Sequence, residues 1–213
     1  YTYDLGRLLN DFADEDIAFN FREFFRANDE GKFVHEKDVW AFLNLLTKED
    51  KESCYPFANA EYRNIFRPSL WIVPGVASAR ALSAMLQSHP VFQHFKIVNV
   101  AGDGDLEEES KDALAAVEEA IGPDPDATRT ITLSCGRLTT GVSVKAWTAV
   151  FMLSGSYNTG AASYMQTIFR VQTPATINGR VKEQCYVFDF APDRTLKVIA
   201  ETAKISAKAG KTS

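Results

Sequence analysis

The chain has 213 residues and a formal net charge of −5, from 23 basic and 28 acidic side chains. That length holds one large domain or two small ones, and a hydrophobic fraction of 46% is ordinary for a globular protein. No run approaches the roughly 18 consecutive apolar residues of a membrane-spanning helix, and three widely spaced cysteines, Cys54, Cys135 and Cys185, exclude both a C-x-x-C metal clip and a disulfide-dense scaffold.

The first residues, Tyr1-Thr2-Tyr3-Asp4, show neither an initiator Met nor a signal-peptide pattern. The expectation is a piece of a longer cytoplasmic protein. Net acidity argues against a nucleic-acid partner, but the charge is unevenly spread. Residues 1–66 carry 8 basic and 14 acidic groups, and residues 101–126 carry ten acidic groups against Lys111 alone. Residues 67–100 hold Arg67, Arg80 and Lys96 with no acid, and residues 127–213 hold eleven basic and four acidic groups. The basic segments together sum to +10, so the total conceals a sign asymmetry.

In chain order, residues 1–66 read as helical. Asp16 to Phe25 and Val39 to Leu46 place apolar residues near helical spacing, with a turn at Asn28-Asp29-Glu30-Gly31-Lys32 between them. Their aromatic density predicts a helical layer packed on something else. From Ser69 the pattern changes to short apolar runs. Ser69–Val73, Lys96–Val100, Thr130–Ser134, Ala149–Leu153 and Cys185–Phe190 read as five strands. Helices are expected over Ala77–Leu86, over Leu106–Ile121 up to Pro123 and Pro125, between the last two strands, and from near Asp193. Apolar strands alternating with helices predict an α/β fold with a mostly parallel sheet covered on both faces. In such sheets the site lies outside the carboxyl ends of the strands. Lys204 to Ser213, small and basic, is expected to be a flexible tail.

Several chemical-looking segments have ordinary explanations. Ala209-Gly210-Lys211-Thr212-Ser213 mimics the end of a P-loop, but Ile205 occupies the position of the first glycine. Gly155 to Gly160 has P-loop glycine spacing, yet Ala161 stands where the lysine must be. That segment is either a strand-to-helix turn capped by Asn158 or Thr159 or an anion-binding helix start. His35, His89 and His94 have no carboxylate or cysteine at ligand spacing, so they read as structural, and no metal site is expected.

Two segments are harder to dismiss. Ser134-Cys135-Gly136-Arg137-Leu138-Thr139-Thr140-Gly141-Val142 directly follows a strand and can present hydroxyls and amides to phosphate oxygens. On the next helix, Gln166 and Arg170 lie four apart and are expected on one face. An isolated arginine on a small, apolar helix needs a partner, and a structural salt bridge would serve.

Taken in order, these segments resemble the second, C-terminal RecA-like domain of superfamily 2 helicases and translocases, of the restriction-enzyme-type DEAD/DEAH kind. Leu70-Trp71-Ile72-Val73-Pro74-Gly75-Val76 is similar to helicase motif IV, Leu138-Thr139-Thr140-Gly141-Val142-Ser143 to motif V, and Gln166-Thr167-Ile168-Phe169-Arg170 to motif VI. Val187-Phe188-Asp189-Phe190 matches the strand that commonly follows motif VI. The resemblance covers about residues 67–200 and departs from the family twice: Phe169 replaces the motif VI glycine, and Thr173 stands where the second arginine would be.

The resemblance implies a helical extension over 1–66, a RecA-like lobe over 67–203 and a tail over 204–213. It implies that Arg170 is the arginine finger and that Gln166 meets the γ-phosphate or attacking water. Thr140, Gly141 and Ser143 would sense nucleotide, and Pro74, Gly75, Cys135, Arg137 and Thr139 would hold the backbone of DNA or RNA. ATP and Mg²⁺ would be bound mainly by an N-terminal RecA-like lobe, whose P-loop lysine and Mg²⁺-binding Asp-Glu motif this sequence lacks. No membrane partner is implied. The rival reading is a non-catalytic α/β module binding an anion or a protein; a complete small-molecule transferase is disfavoured because no acid–base pair emerges.

Overall fold

A computed structural model describes residues 1–3, 20–50, 55–102, 107–135, 144–154 and 161–190. Among these residues three short helices come first: α1 (Phe21–Phe24), α2 (Glu36–Leu46) and α3 (Ala60–Ile65). Asn20 and Asn59 start α1 and α3 by accepting the N–H groups of Glu23 and Tyr62, at 3.1 and 2.9 Å. Then follow β1 (Pro68–Ile72), α4 (Val76–Ser88), β2 (Lys96–Asn99), α5 (Glu107–Ile121), β3 (Thr130–Ser134), β4 (Ala149–Met152), α6 (Ala161–Ile168), a hairpin of β5 (Thr176–Ile177) and β6 (Arg180–Val181), and β7 (Tyr186–Asp189).

The main sheet has the order β2-β3-β1-β4-β7 and every pair is parallel. All five strands expected from the sequence are present. The three central ones are buried along their whole length, which is why they read as apolar runs rather than as alternating ones. On α5, Ala113, Val117 and Ile121 recur every four residues and are buried, while Asp112, Glu118 and Glu119 face out.

Each face of the sheet has its own core. On one face Trp71, Leu133, Phe151 and Phe188 pack with α4 and with the aromatic residues of the N-terminal helices. On the other, Leu70, Ile72, Val150 and Met152 pack with α5, Trp147, Tyr164 and Val171. The result is the three-layer α/β arrangement that the strand and helix pattern predicts. Among the described residues before β1 there is a helical layer, and Phe24, Phe25, Phe42 and Phe57, none of them exposed, join it to the sheet. Ser78 on α4 adds a buried hydrogen bond to the Phe25 carbonyl, 2.7 Å.

Several described parts of that segment are not helical: Ala27 and Phe33 form an antiparallel bridge, and residues 47–50 and 55–59 are turns and irregular chain. Residues 1–3 lie parallel to β7, with Tyr3 N–H donating to Asp189 O at 2.8 Å and Asp189 N–H to Tyr1 O at 2.9 Å. The Tyr1 ring stacks on Phe188 and the Tyr3 ring on Phe190, at centroid separations of 5.4 and 5.3 Å. These contacts protect an edge that would otherwise expose unpaired backbone groups.

His89 is structural, as expected. It is 1% exposed and lies against Trp40 and Phe92. Its Nε2–H donates to Asn44 Oδ1 and its Nδ1 accepts the Val91 N–H, both at 3.2 Å, which is the neutral tautomer. Burial, and then the charge of Arg63, push its pKa below the ordinary histidine value. Between the lowered native pKa and the ordinary value of about 6.5, the unfolded chain binds a proton that the native ring refuses. Stability is therefore full above that value and falls as pH drops through it. The thermal midpoint should decline between about pH 7.5 and about pH 5.5, and His89→Asn should flatten that slope. An unchanged slope in the variant would contradict the assignment.

Candidate functional site

The parallel sheet places the loops after β1 and β3 side by side. Val73 N–H donates to Ser134 O at 2.9 Å, so Pro74 and Gly75 lie next to Cys135 at the carboxyl ends of adjacent strands. Leu153 N–H donates to Ile72 O, also at 2.9 Å, and brings the end of β4 to the same edge. Gly75 is the residue before α4, in extended conformation and without a side-chain cap. Cys135 is buried and in no disulfide. Three residues expected to hold nucleic-acid backbone are thus brought together, where open parallel sheets bind ligands. Arg137, Thr139, Thr140, Gly141 and Ser143 lie outside the described residues, as do positions 155–160 and 191–213.

Gln166 and Arg170 do not occupy successive rungs of one α-helix. The α-helix ends at Ile168, and Phe169–Val171 is a 3-10 turn. Tightening to about three residues per turn rotates Arg170 away from the expected stripe. Gln166 is exposed and Arg170 is half-buried, with burial lowering the guanidinium pKa from its ordinary value. An arginine this basic stays charged regardless. Phe169, at the glycine position of the resembling motif, is 52% exposed. The turn is anchored from beneath: Val171 is buried in the same core cluster as Val144, which directly follows the Thr-Thr-Gly segment. Lys182 Nζ donates to both the Lys145 and the Val171 carbonyl, so the ends of the two segments lie close together.

The hairpin after this turn was not foreseen. Asn178 and Gly179 have φ of 50° and 76°, the pair of left-handed residues that a type I′ turn requires. The Asn-Gly dipeptide was the signal that could have revealed it. Asn178 Nδ2 donates to Asp124 Oδ1 and Asp126 Oδ2, at 2.8 and 3.0 Å. Arg180 reaches Asp126 at 2.5 Å and Arg67 reaches it at 3.0 Å. The hydrogen bond from Asn178, then those from Arg180, hold the Asp126 carboxyl below its ordinary pKa. At the base of the hairpin, Lys182 Nζ donates to the carbonyls of Lys145, Trp147 and Val171, at 2.8, 3.1 and 3.0 Å.

A cleft of about 650 Å³ opens at the other end of the sheet, by Arg67, Pro68, Thr148 and Tyr186, and it includes none of the expected site residues. Among the described residues no group of three His, Cys, Asp or Glu side chains could hold a metal ion, and no helix is long and apolar enough to cross a membrane. The polar groups of Gln166 and Arg170, an amide and a guanidinium, suit anionic phosphate oxygens rather than a cation.

No protein-family profile matches the sequence. A Mycoplasma pneumoniae protein (strain ATCC 29342 / M129 / Subtype 1), named provisionally as the C-terminal part of a type II restriction enzyme and methyltransferase, is 33% identical over 202 residues. That match covers 87% of this chain and 27% of the relative, so the chain spans little more than a quarter of its length. Among solved structures, the C-terminal part of the Fun30 ATPase domain aligns with a TM-score of 0.41 at 13% identity, over 72% of this chain and 49% of that one. The DNA-bound, ATP-dependent Type ISP restriction-modification enzyme LlaBIII aligns with a TM-score of 0.47 at 15% identity, over 78% of this chain and 10% of that one. The all-parallel sheet covered on both faces is the α/β arrangement expected from the sequence, and the relative's name places a similar sequence in a restriction enzyme and methyltransferase.

Proposed function

We propose that the chain is the C-terminal motor lobe of an ATP-dependent DNA helicase or translocase, acting in a restriction–modification or mobile-element system. In this reading residues 1–66 form a helical extension, 67–203 the RecA-like lobe and 204–213 a basic tail. Arg170 reaches ATP held with Mg²⁺ on an N-terminal lobe of the same cytoplasmic protein, and Gln166 orients the γ-phosphate or the attacking water. Bound ATP supplies the phosphoryl group; this chain supplies donors to its oxygens and a track for the nucleic acid. Pro74, Gly75 and Cys135, with Arg137 and Thr139, line that track; the amides of Gly75 and Cys135 and the charge of Arg137 contact strand phosphates independently of base sequence, and Pro74, which has no N–H, shapes the turn. Thr140, Gly141 and Ser143 connect the track to the nucleotide.

The observation that carries the reading is that one ammonium group, Lys182 Nζ, bonds both the Lys145 and the Val171 carbonyl. It joins the segment after Thr140-Gly141 to the turn bearing Arg170, as coupling between nucleotide and track requires. The restriction-enzyme relative supports the biological setting, and the basic segments 67–100 and 127–213 support an anionic partner.

The chain carries no P-loop, and its two Asp-Glu dipeptides, Asp14-Glu15 and Asp29-Glu30, follow no apolar strand run. Purified alone, it should hydrolyse no ATP above a buffer blank, with or without DNA. Robust hydrolysis by the isolated chain, abolished by Arg170→Ala, would place a complete active site here and overturn the lobe assignment.

A further inference from the structure

Lys182 belongs to no motif, yet its side chain has a specific arrangement. An ammonium group carries three donors, and each meets one backbone carbonyl: Lys145 and Trp147 on the segment entering β4, and Val171 at the end of the 3-10 turn. Among the described residues no carboxylate pairs with it, and burial lowers its pKa. A partly buried ammonium pays a desolvation cost that a hydrophobic side chain filling the same space would avoid. The arrangement is specific in direction, because no neutral side chain offers three donors from one atom.

The anchor itself is fixed. The Lys182 N–H donates to Ala175 O at 2.8 Å, closing the base of the hairpin. Asn178 and Arg180 tie the hairpin tip to Asp124 and Asp126, and Arg67 holds Asp126 from the start of β1. Lys182 therefore cannot simply follow Val171 if the turn moves. One of its bonded carbonyls is adjacent to Arg170. The other two lie within six residues of Gly141 in the chain.

We propose that Lys182 is a positioning residue, a clasp that holds the Arg170 turn against the segment following Thr140-Gly141 so that the two move as one unit. The proposal rests on the motor reading above, since it gives Arg170 a task that depends on placement. Without the clasp, Val171 loses a charged donor and the 3-10 turn loses its fixed distance from β4. The arginine then samples positions off the reacting phosphate, and misplacement by about 1 Å costs up to about a hundredfold in rate.

Two measurements test it. In the isolated chain, hydrogen exchange of Lys182→Met should speed several-fold in residues 144–148 and 166–172 together, while the amides of β1 and β3 exchange as in wild type. In the intact ATP-hydrolysing protein, Lys182→Met should lower kcat by about ten- to a hundredfold with KM for ATP and ATP binding unchanged. Lys182→Arg keeps the cation but cannot aim three donors from one atom, so it should fall between; it decides the matter if the methionine variant does not fold. Unchanged exchange in the two segments overturns the clasp. Faster exchange with wild-type kcat, in a protein that Arg170→Ala inactivates, overturns the positioning role alone. If Arg170→Ala leaves turnover intact, the motor reading fails and the positioning role falls with it, whatever the exchange shows.

Discussion

Arg170→Ala in the intact protein is expected to lower ATP turnover by about 10³–10⁵-fold, the range that arginine fingers contribute to phosphoryl transfer. ATP binding should be spared. The loss belongs in kcat because the guanidinium meets charge that develops on the γ-phosphate only as the bond to the leaving group breaks. The surroundings favour a strong effect: Arg170 is half-buried, and a charge in lowered dielectric acts more strongly on its partner than one in water. Arg170→Lys should recover little, since a point charge cannot replace a planar fork that bonds two oxygens at once. Steady-state ATPase rates and equilibrium nucleotide binding, measured on the same preparations, check both halves. A weakened affinity with unchanged kcat would show that Arg170 is a binding group and no finger.

Phe57→Ala should have the largest effect on stability, about 3–5 kcal/mol as for other fully buried aromatic truncations. Phe57 comes from the N-terminal segment but sits inside the sheet's core, with no exposed surface. Its ring stacks on Phe151 at 5.3 Å, meets Phe92 and Phe95 edge-on at 5.0 and 5.6 Å, and tilts against Trp71 at 5.9 Å. Removing it opens a cavity at the junction of four aromatic neighbours that cannot all close inward. Because the helical layer and the sheet share this core, denaturant unfolding should remain one cooperative transition shifted to a lower midpoint. As a control, Ile65→Ala, at a site 36% exposed, should change stability by less than about 0.5 kcal/mol. Two separate transitions, or a loss below about 1 kcal/mol for Phe57→Ala, would show that the layer does not depend on the shared core.

The sheet was legible in the sequence because its strands are parallel and buried. Runs such as Leu70-Trp71-Ile72 and Val150-Phe151-Met152 need no alternation when both faces are covered. Helix α5 was legible because its acidic residues and its buried Ala113, Val117 and Ile121 fall on opposite sides. What escaped depends on contacts distant in the chain or on exposed, very short elements. Nothing local in Tyr1-Thr2-Tyr3 announces pairing with β7, since its partners lie more than 180 residues away. The hairpin strands have two residues each and are largely exposed, so only Asn178-Gly179 marked them. The α-helix stops two residues before Arg170, a change of helical pitch that residue type does not encode. Lys182 was invisible for a related reason: its three partners are backbone carbonyls, which carry no sequence signature.

In the proposed function the chain completes an active site built mainly on another lobe. The most direct measurement is the structure of the intact protein with a non-hydrolysable ATP analogue and DNA bound. The account predicts the Arg170 guanidinium within about 3 Å of a γ-phosphate oxygen, across a cleft from the lobe that holds the nucleotide, with DNA backbone along Pro74, Gly75 and Cys135. A nucleotide bound with Arg170 turned away from it, on the far side of the lobe, would contradict the account.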